Sequence, residues 1–264
     1  MTRLKLSRFD PTTLKPGTIS LFQGRRNTGK TTLLRQAMYW IRDKVELTIA
    51  VTPTQSSAEM FRTLMPASCV HDQGFDTSIV EKLLATQREL SAAGRRPRNV
   101  LLILDDCSFD SKKWREKPIA DLARNGRHCH ITVMLTSQYA MDLGPDLRSQ
   151  IDLVYALRDP ILQNRKRLHT CYFGMLPFPE FSAAFEACTE NYGAIVLDQT
   201  VNTSEVSACV FFARAEPALP PFKMTAPVYF KLEDRAHEEQ KRAPSTVEVP
   251  VPRRERRVLV DAIP

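Results

Sequence analysis

Apolar positions along the chain follow two patterns. Short runs of β-branched and aliphatic residues predict strands, whereas longer stretches with apolar residues three and four positions apart predict helices. The predicted strands span residues 18–23, 47–52, 100–104, 131–136, 153–157, 194–197 and 209–213. The predicted helices span residues 31–44, 57–64, 77–93, 117–124 and 160–170.

The order and composition of these elements predict an α/β fold. The first five strands are nearly continuous apolar runs, as expected for parallel strands that are covered on both faces. Their alternation with helices indicates right-handed βαβ units and a three-layer sandwich around a mostly parallel sheet. The last two strands are separated by the polar, turn-rich segment 198–208, which predicts an antiparallel hairpin added at the edge of the sheet.

The composition changes after residue 216, and we expect a globular domain at 1–216 and a Pro-rich, charged, flexible tail at 217–264. From about residue 231 the tail is predicted to be extended or disordered until a partner binds it. Four arginines lie within residues 253–257. They would suit DNA phosphates or an acidic patch on a capsid or membrane protein, and a solvated tail without a partner is the third alternative.

A Gly-rich segment after the first strand has the pattern G-x-x-x-x-G-K-[ST] of a P-loop. It lies between a predicted strand and a predicted helix, where backbone amides and the helix N-terminus converge on phosphate groups. Lys30 would contact the β- and γ-phosphates and the Thr31 hydroxyl would bind Mg²⁺. The residues expected to bind ATP are Gly24, Arg25, Arg26, Asn27, Thr28, Gly29, Lys30, Thr31 and Thr32.

Two acidic residues follow the third strand, whose last four residues are aliphatic. This is the Walker B pattern, in which Asp105 would hold the Mg²⁺ ion and Asp106 would orient and deprotonate the attacking water. Acids that merely cap the next element are the alternative. The P-loop upstream favours Walker B, and together the two motifs predict a P-loop NTPase of the RecA/ASCE-like class.

The strand that starts at residue 131 ends in polar residues, the last of which is Gln138. In P-loop proteins that insert a strand between the P-loop strand and the Walker B strand, this position touches the γ-phosphate and the attacking water. We therefore expect Gln138 to be a sensor of the γ-phosphate.

Arg127 precedes the same strand, in a segment that also contains His128, Cys129 and His130. It could act as an arginine finger that stabilises transition-state charge on a neighbouring subunit's nucleotide. A solvated surface arginine is the alternative. The two histidines and the cysteine lack further ligands at metal spacing, so no metal site is expected there.

Composition limits the cellular compartments and the classes of binding partner to be considered. The six cysteines form no C-x-x-C pair, which favours a reducing compartment. The chain contains neither a run of about 18 apolar residues nor the apolar core of a signal peptide, so we expect neither a membrane span nor secretion. The 37 Lys and Arg outnumber the 30 Asp and Glu, and the net charge of +7 favours a polyanionic partner.

The ordered set of motifs resembles the genome-packaging ATPases of nucleocytoplasmic large DNA viruses, the poxvirus-type branch of the FtsK–HerA superfamily. The resemblance covers residues 15–215. It rests on the Asp105-Asp106 pair, the turn at 125–128 that leads to Ser137-Gln138, and two late segments, 192–198 and 210–215. The tail after residue 216 matches nothing in that family.

The resemblance implies a motor that hydrolyses ATP with Mg²⁺ and moves double-stranded DNA into a capsid. It also implies a homo-oligomeric ring of five or six subunits, with Arg127 acting in trans on the neighbour's nucleotide. By the same similarity, Lys30, Asp106 and Gln138 are the other catalytic residues, and Thr31 and Asp105 bind the metal. We expect the protein in the virion and the host cytoplasm, with a capsid or inner-membrane virion protein as a docking partner for the tail.

Two other functions remain open from sequence. A nucleoside or nucleotide kinase also has a P-loop, but it would need an arginine-rich lid, and the strand that ends at Gln138 argues against it. A non-catalytic DNA-binding assembly scaffold would not need both Asp105 and Asp106. A GTPase would need an N-K-x-D segment, which does not occur in the sequence.

Overall fold

A mixed sheet runs through the residues that the computed structural model describes, which are 4–107, 112–139, 141–203, 205–216 and 218–242. Within these residues it contains nine strands. They are β1 Ser7–Arg8, β2 Ile19–Gln23, β3 Leu47–Val51, β4 Val70–His71, β5 Val100–Leu104, β6 Ile131–Ser137, β7 Leu153–Leu157, β8 Gly193–Asp198 and β9 Val210–Arg214.

The strand order is β1-β9-β8-β7-β2-β6-β5-β3-β4, so the P-loop strand β2 lies near the centre between β7 and β6. Strands β7 to β4 in this order pair in parallel, whereas β8 is antiparallel to both β7 and β9. The carboxyl ends of the parallel strands and the amino end of β8 therefore meet along one side of the sheet, which runs across the ends of the strands. We call this side the carboxyl edge, as distinct from the outermost strands.

Helices connect the strands. They are α1 Lys30–Ile41, α2 Gln55–Arg62, α3 Ser78–Ala92, α4 Lys117–Asn125, α5 Pro145–Ser149, α6 Leu162–Tyr172, α7 Phe178–Cys188, α8 Val206–Cys209 and α9 Pro227–Arg242. Among these described helices, none is both long enough and apolar enough to cross a membrane.

The sheet has a hydrophobic core on each face because successive side chains of a strand point in opposite directions. On one face, Leu102 and Leu135 pack with residues of α3, α4, α6 and α7, including Phe181. On the other, Ile103 and Met134 pack with α1 and α2. The central strands are buried on both sides, which explains their nearly continuous apolar sequences and confirms the predicted three-layer α/β architecture.

The predicted C-terminal hairpin is present as β8 and β9. It does not form the outermost edge, because the two-residue strand β1 pairs in parallel with β9 beyond it. Helix α7, which was not predicted, lies between β7 and β8 in sequence and packs against β8. It begins with a proline in its first turn, a position where the missing amide hydrogen costs nothing.

The prediction of an extended or disordered chain from residue 231 is wrong for 231–242, which belong to α9. The preceding segment lies against the globular part: Met224 is buried, its amide donates to the Leu64 carbonyl, and its carbonyl accepts from Thr48 Oγ1. The division into 1–216 and 217–264 stays a prediction. Residues 243–264, including the arginines at 253–257, lie outside the described residues.

Candidate nucleotide-binding site

The P-loop sequence forms the connection between β2 and α1 at the carboxyl edge. Gly29 precedes α1 with φ of 96°, a left-handed conformation that glycine adopts without steric cost. The amide of Gly24 donates to the Ser137 carbonyl at 3.1 Å, which ties the start of the loop to the end of β6. The loop is therefore placed by the sheet on one side and by the helix on the other.

Lys30 is folded back into this loop. Its Nζ donates to the carbonyl oxygens of Gly24 at 2.7 Å and Arg25 at 2.9 Å. Burial lowers the pKa of Lys30, and the carboxylates of Asp106 and Asp105 oppose that effect. The ammonium group is thus held at the centre of the loop, within electrostatic range of both acids.

The acid pair lies directly beyond β5. Asp105 is 3% exposed, and its Oδ1 accepts a hydrogen bond from Thr136 Oγ1 at 2.8 Å. Asp106 has φ of 54°, and its amide donates to the same Thr136 oxygen at 2.8 Å. Thr52 Oγ1 donates to Asp105 Oδ2 at 3.5 Å. One threonine of β6 therefore fixes both acids of β5.

Gln138 reaches the second acid. Its Nε2 donates to Asp106 Oδ1 at 3.1 Å, which brings the predicted sensor and the predicted catalytic acid into direct contact. Ser137, next to it, donates through its hydroxyl to the Tyr139 carbonyl at 2.9 Å and to Asp142 Oδ2 at 3.1 Å. These bonds hold the turn that presents Gln138.

The remaining predicted P-loop residues lie around this centre. Thr31 and Thr32 are exposed in the first turn of α1. Arg25, Arg26 and Asn27 are exposed in the loop, where Asn27 has φ of 61°. They border a cavity of about 550 Å³ whose opposite walls come from the ends of β6 and β7 and from the segment before β8.

The donor set at this edge suits Mg²⁺, which prefers oxygen ligands. Asp105 supplies a buried carboxylate that is bonded by hydroxyl groups, and Thr31 supplies a hydroxyl at the start of α1. The ligand roles of Thr31 and Asp105 stay predictions.

Arg127 lies away from this cluster, because it precedes β6 and therefore sits at the opposite edge of the sheet, about 20 Å away for a strand of this length. Its Nη2 pairs with Asp152 Oδ1 at 2.8 Å, and its Nε donates to the Gly17 carbonyl at 3.4 Å. Asp152 Oδ2 also accepts from the Ile19 amide at 2.8 Å. Arg127 therefore does not reach its own chain's P-loop, and a role on a neighbour's nucleotide stays a prediction.

Sequence reasoning missed Thr136, Thr52 and the wall that contains Arg158 and Tyr192. The signal for Thr136 was its place among the polar residues that end a buried strand, next to Gln138. Thr52 similarly follows β3 directly. Tyr192 is distant in sequence from the other motifs, and only the antiparallel course of β8 brings it to the carboxyl edge.

Solved structures of viral packaging enzymes have this arrangement of elements. The genome packaging NTPase B204 from Sulfolobus turreted icosahedral virus 2, in complex with AMPPCP, matches with a TM-score of 0.57 at 19% identity. The match covers 78% of this chain and 100% of that chain. The chain has the P-loop ATPase fold.

The same fold is found in a second solved ATPase structure. ATPases 2 and 3 of EssC from Geobacillus thermodenitrificans match with a TM-score of 0.55 at 10% identity, over 92% of this chain and 53% of that chain. Both comparisons confirm the predicted fold class, a three-layer P-loop NTPase with a mostly parallel sheet.

Sequence relatives come from large DNA viruses. An uncharacterized protein, 088R of Invertebrate iridescent virus 3, is 28% identical over 193 residues, which are 73% of this chain and 73% of that protein. An uncharacterized protein of Acanthamoeba polyphaga mimivirus is 28% identical over 200 residues, covering 72% and 70%. No family model matches the chain. The comparisons therefore show similarity to proteins of large DNA viruses and the fold of P-loop ATPases.

Proposed function

We propose that this chain is an ATP-hydrolysing motor that translocates double-stranded viral DNA into the capsid during virion assembly. The observation that carries the proposal is the convergence of Lys30, Asp105, Asp106 and Gln138 at one edge of a P-loop ATPase fold. Relatives in large DNA viruses and the fold shared with a viral genome packaging NTPase support the packaging role.

Binding of ATP starts at the P-loop. Amides of residues 24–32 and the N-terminus of α1 receive the phosphates, and Lys30 exchanges its bonds to the Gly24 and Arg25 carbonyls for bonds to the β- and γ-phosphates. Thr31 and Asp105 would hold Mg²⁺, which would neutralise negative charge on the phosphates.

Hydrolysis is the task of the pair formed by Asp106 and Gln138. Asp106 accepts the proton of the attacking water at its carboxylate, and Gln138 orients that water and senses the γ-phosphate. Thr136 keeps Asp105 and Asp106 in fixed relative positions through its single hydroxyl. Gln138 is hydrogen-bonded to Asp106 and follows β6 directly. Loss of the γ-phosphate would therefore change contacts at the end of β6 as well as at the P-loop.

The assembled form is a homo-oligomeric ring of five or six subunits around duplex DNA. In the ring, Arg127 of one subunit acts on the nucleotide of the next, which requires the Arg127–Asp152 pair to open or to turn toward the interface. The net charge of +7 supports contact with the DNA backbone. The C-terminal tail, predicted at 217–264, docks on a capsid or inner-membrane virion protein, and the motor acts in the host cytoplasm and in the virion.

The experiment that tests the motor is displacement of a third strand from a triplex on linear duplex DNA. We expect the full-length chain to displace the strand with ATP and Mg²⁺ and to fail with a non-hydrolysable analogue. Asp106→Asn is the matched control, since we expect it to bind ATP and to hydrolyse it far more slowly. ATP hydrolysis without any strand displacement would leave an ATPase that is not a DNA translocase.

A further inference from the structure

The cavity that borders the P-loop has a second wall, whose residues belong to none of the predicted nucleotide-binding motifs. Besides residues of the P-loop and the end of β6, the cavity of about 550 Å³ is lined by the chain that follows β7 and the chain that precedes β8. The residues of this second wall are Arg158, Pro160, Thr189, Asn191 and Tyr192.

The order of the strands assigns this wall to one end of the nucleotide. The acids that face the γ-phosphate follow β5 and contact β6, on one side of the P-loop strand β2. Strands β7 and β8 lie on the other side of β2. A nucleotide whose γ-phosphate points toward Asp106 and Gln138 therefore extends its base over the carboxyl end of β7 and the amino end of β8.

An exposed aromatic ring stands at that position. Tyr192 is 68% exposed, although aromatic side chains usually bury most of their area. It adjoins the P-loop: a Cβ placed on Gly29 would lie 3.4 Å from Tyr192 Cβ and 3.6 Å from Cδ1. The ring is therefore next to the phosphate-binding loop and open to a ligand.

The backbone that places this ring has an unfavourable conformation. Asn191 and Tyr192 have φ of 50° and 60°, in the left-handed region that an aromatic residue rarely adopts. The chain then passes so close to the end of α7 that a Cβ on Gly193 would lie 2.1 Å from the Cys188 carbonyl oxygen. Strain of this kind persists where the surroundings enforce it and is concentrated at ligand sites.

We propose that Tyr192 stacks on the base of the bound nucleoside triphosphate and is the base-binding residue of this site. The inference rests on the proposed function, since it requires that ATP occupies the P-loop. Stacking recognises the face of a base and not its hydrogen-bonding edge, so Tyr192 adds affinity for ATP and GTP alike. A bare triphosphate has no base and gains nothing from the ring.

The test compares two ligands in the full-length chain with Mg²⁺, ATP and inorganic tripolyphosphate, by calorimetric titration. Tyr192→Ala removes the ring, and Tyr192→Asn removes it with a residue that accepts positive φ. We expect both variants to raise the Kd for ATP by about 5- to 150-fold and to leave the Kd for tripolyphosphate unchanged. Tyr192→Phe keeps the ring and should bind ATP as the wild type does.

A second exposed tyrosine of the same cavity provides a matched control. Tyr139 follows β6, on the γ-phosphate side, so Tyr139→Ala should keep the wild-type ratio of the two dissociation constants. Unchanged ATP affinity in both Tyr192→Ala and Tyr192→Asn would overturn the inference. So would equal losses for the two ligands, because Tyr192 would then act by supporting the loop at Gly29.

The failure of this inference is distinguishable from the failure of the proposed function. If wild type and Tyr192 variants bind ATP equally and all hydrolyse it, only the base-stacking role is wrong. If the wild type binds neither ATP nor tripolyphosphate, the proposed function is wrong and the inference is overturned with it.

Discussion

Lys30 and Thr136 organise the charges of the site at the scale of single residues. Lys30 already satisfies two loop carbonyls, so its ammonium is held where phosphate oxygens would replace them. Thr136 uses one hydroxyl both to donate to Asp105 and to accept from the Asp106 amide. The Lys30 ammonium, the Thr136 hydroxyl and the groups they contact are thus paired before any ligand arrives, which reduces the reorganisation that binding requires.

Substitution of Lys30 should weaken nucleotide binding. Lys30→Ala removes a charge-assisted contact to the phosphates, and we expect the Kd for ATP to rise by about 10- to 150-fold, measured by calorimetric titration. Lys82→Ala, an exposed lysine of α3, is the control and should bind ATP as the wild type does. Near-wild-type affinity in Lys30→Ala would show that this loop does not bind the phosphates.

Substitution of the two acids should have different effects. Asp106→Asn keeps the size of the side chain and an oxygen for Gln138, so we expect ATP and Mg²⁺ to bind while kcat falls by about 10²- to 10⁴-fold. Asp105→Asn should instead weaken the Mg²⁺ dependence of binding. Both are measured by ATP titration and phosphate release. Wild-type turnover in Asp106→Asn would assign water activation to another group.

Residues of the site were predictable to the extent that they belong to local patterns. The P-loop and the acid pair have fixed spacing along the chain, so Lys30 and Asp106 could be singled out from sequence. Tyr192 could not, because its place beside Gly29 depends on the register of β8 with β7, a long-range pairing of Leu157 with Ala194.

At the scale of elements, polar contacts help to hold α9 against the rest of the chain. Val228 and Leu232 are more than half exposed, whereas Glu233 accepts hydrogen bonds from the amides of Ala67 at 3.1 Å and Ser68 at 2.7 Å. Partial burial opposes ionisation of Glu233, but these hydrogen bonds outweigh it and hold the pKa of the carboxyl below its ordinary value. The carboxylate therefore anchors the helix.

Glu233→Gln should destabilise the chain by about 1 kcal/mol at neutral pH, since an amide forms weaker bonds with the two donors. The pKa is lower in the folded chain than in the unfolded one. The stabilisation is therefore complete above the unfolded-state pKa and is lost as pH falls through the folded-state pKa. Denaturant unfolding at several pH values measures the gap between variant and wild type, which should close in acid.

Glu238→Gln, an exposed glutamate of the same helix, is the control for that experiment and should match the wild type throughout. A gap between Glu233→Gln and wild type that stayed constant in acid would show that the charge of Glu233 does not anchor α9.

The same helix shows where element prediction fails. Buried strands such as β5 and β6 were predicted within a residue or two, because burial on both faces requires apolar residues throughout. Helix α9 is rich in charged residues, and its contacts to residues 67 and 68 are more than 160 positions away in sequence. The two-residue strands β1 and β4 are too short to produce a pattern at all.

At the scale of the whole molecule, the two edges of the sheet have different roles in the proposed ring. The carboxyl edge holds the nucleotide site, and Arg127 lies at the opposite edge in a pair with Asp152. A subunit interface that joined the two kinds of edge would complete each site with a neighbour's arginine. The fold predicted from sequence is sufficient to place the P-loop and the two acids at the carboxyl edge. The role of Arg127 at the opposite edge depends on contacts between subunits, which a single chain does not contain.

Arg127→Ala should therefore lower ATP hydrolysis in trans by a large factor, about 10³-fold or more for an arginine finger. Mixing it with Asp106→Asn subunits should restore activity at interfaces where an intact acid meets an intact arginine. Steady-state phosphate release across mixing ratios measures this. Asp152→Asn, which breaks the ion pair but keeps Arg127, should remain active, and equal losses in both single variants would assign Arg127 a structural role only.

The central claim is that this chain couples ATP hydrolysis to duplex DNA. The most direct test is release of inorganic phosphate from ATP by the full-length chain with Mg²⁺, measured with and without double-stranded DNA. The account predicts phosphate release that rises when duplex DNA is added. Transfer of the γ-phosphate to a nucleoside acceptor, or phosphate release that duplex DNA leaves unchanged, would contradict it.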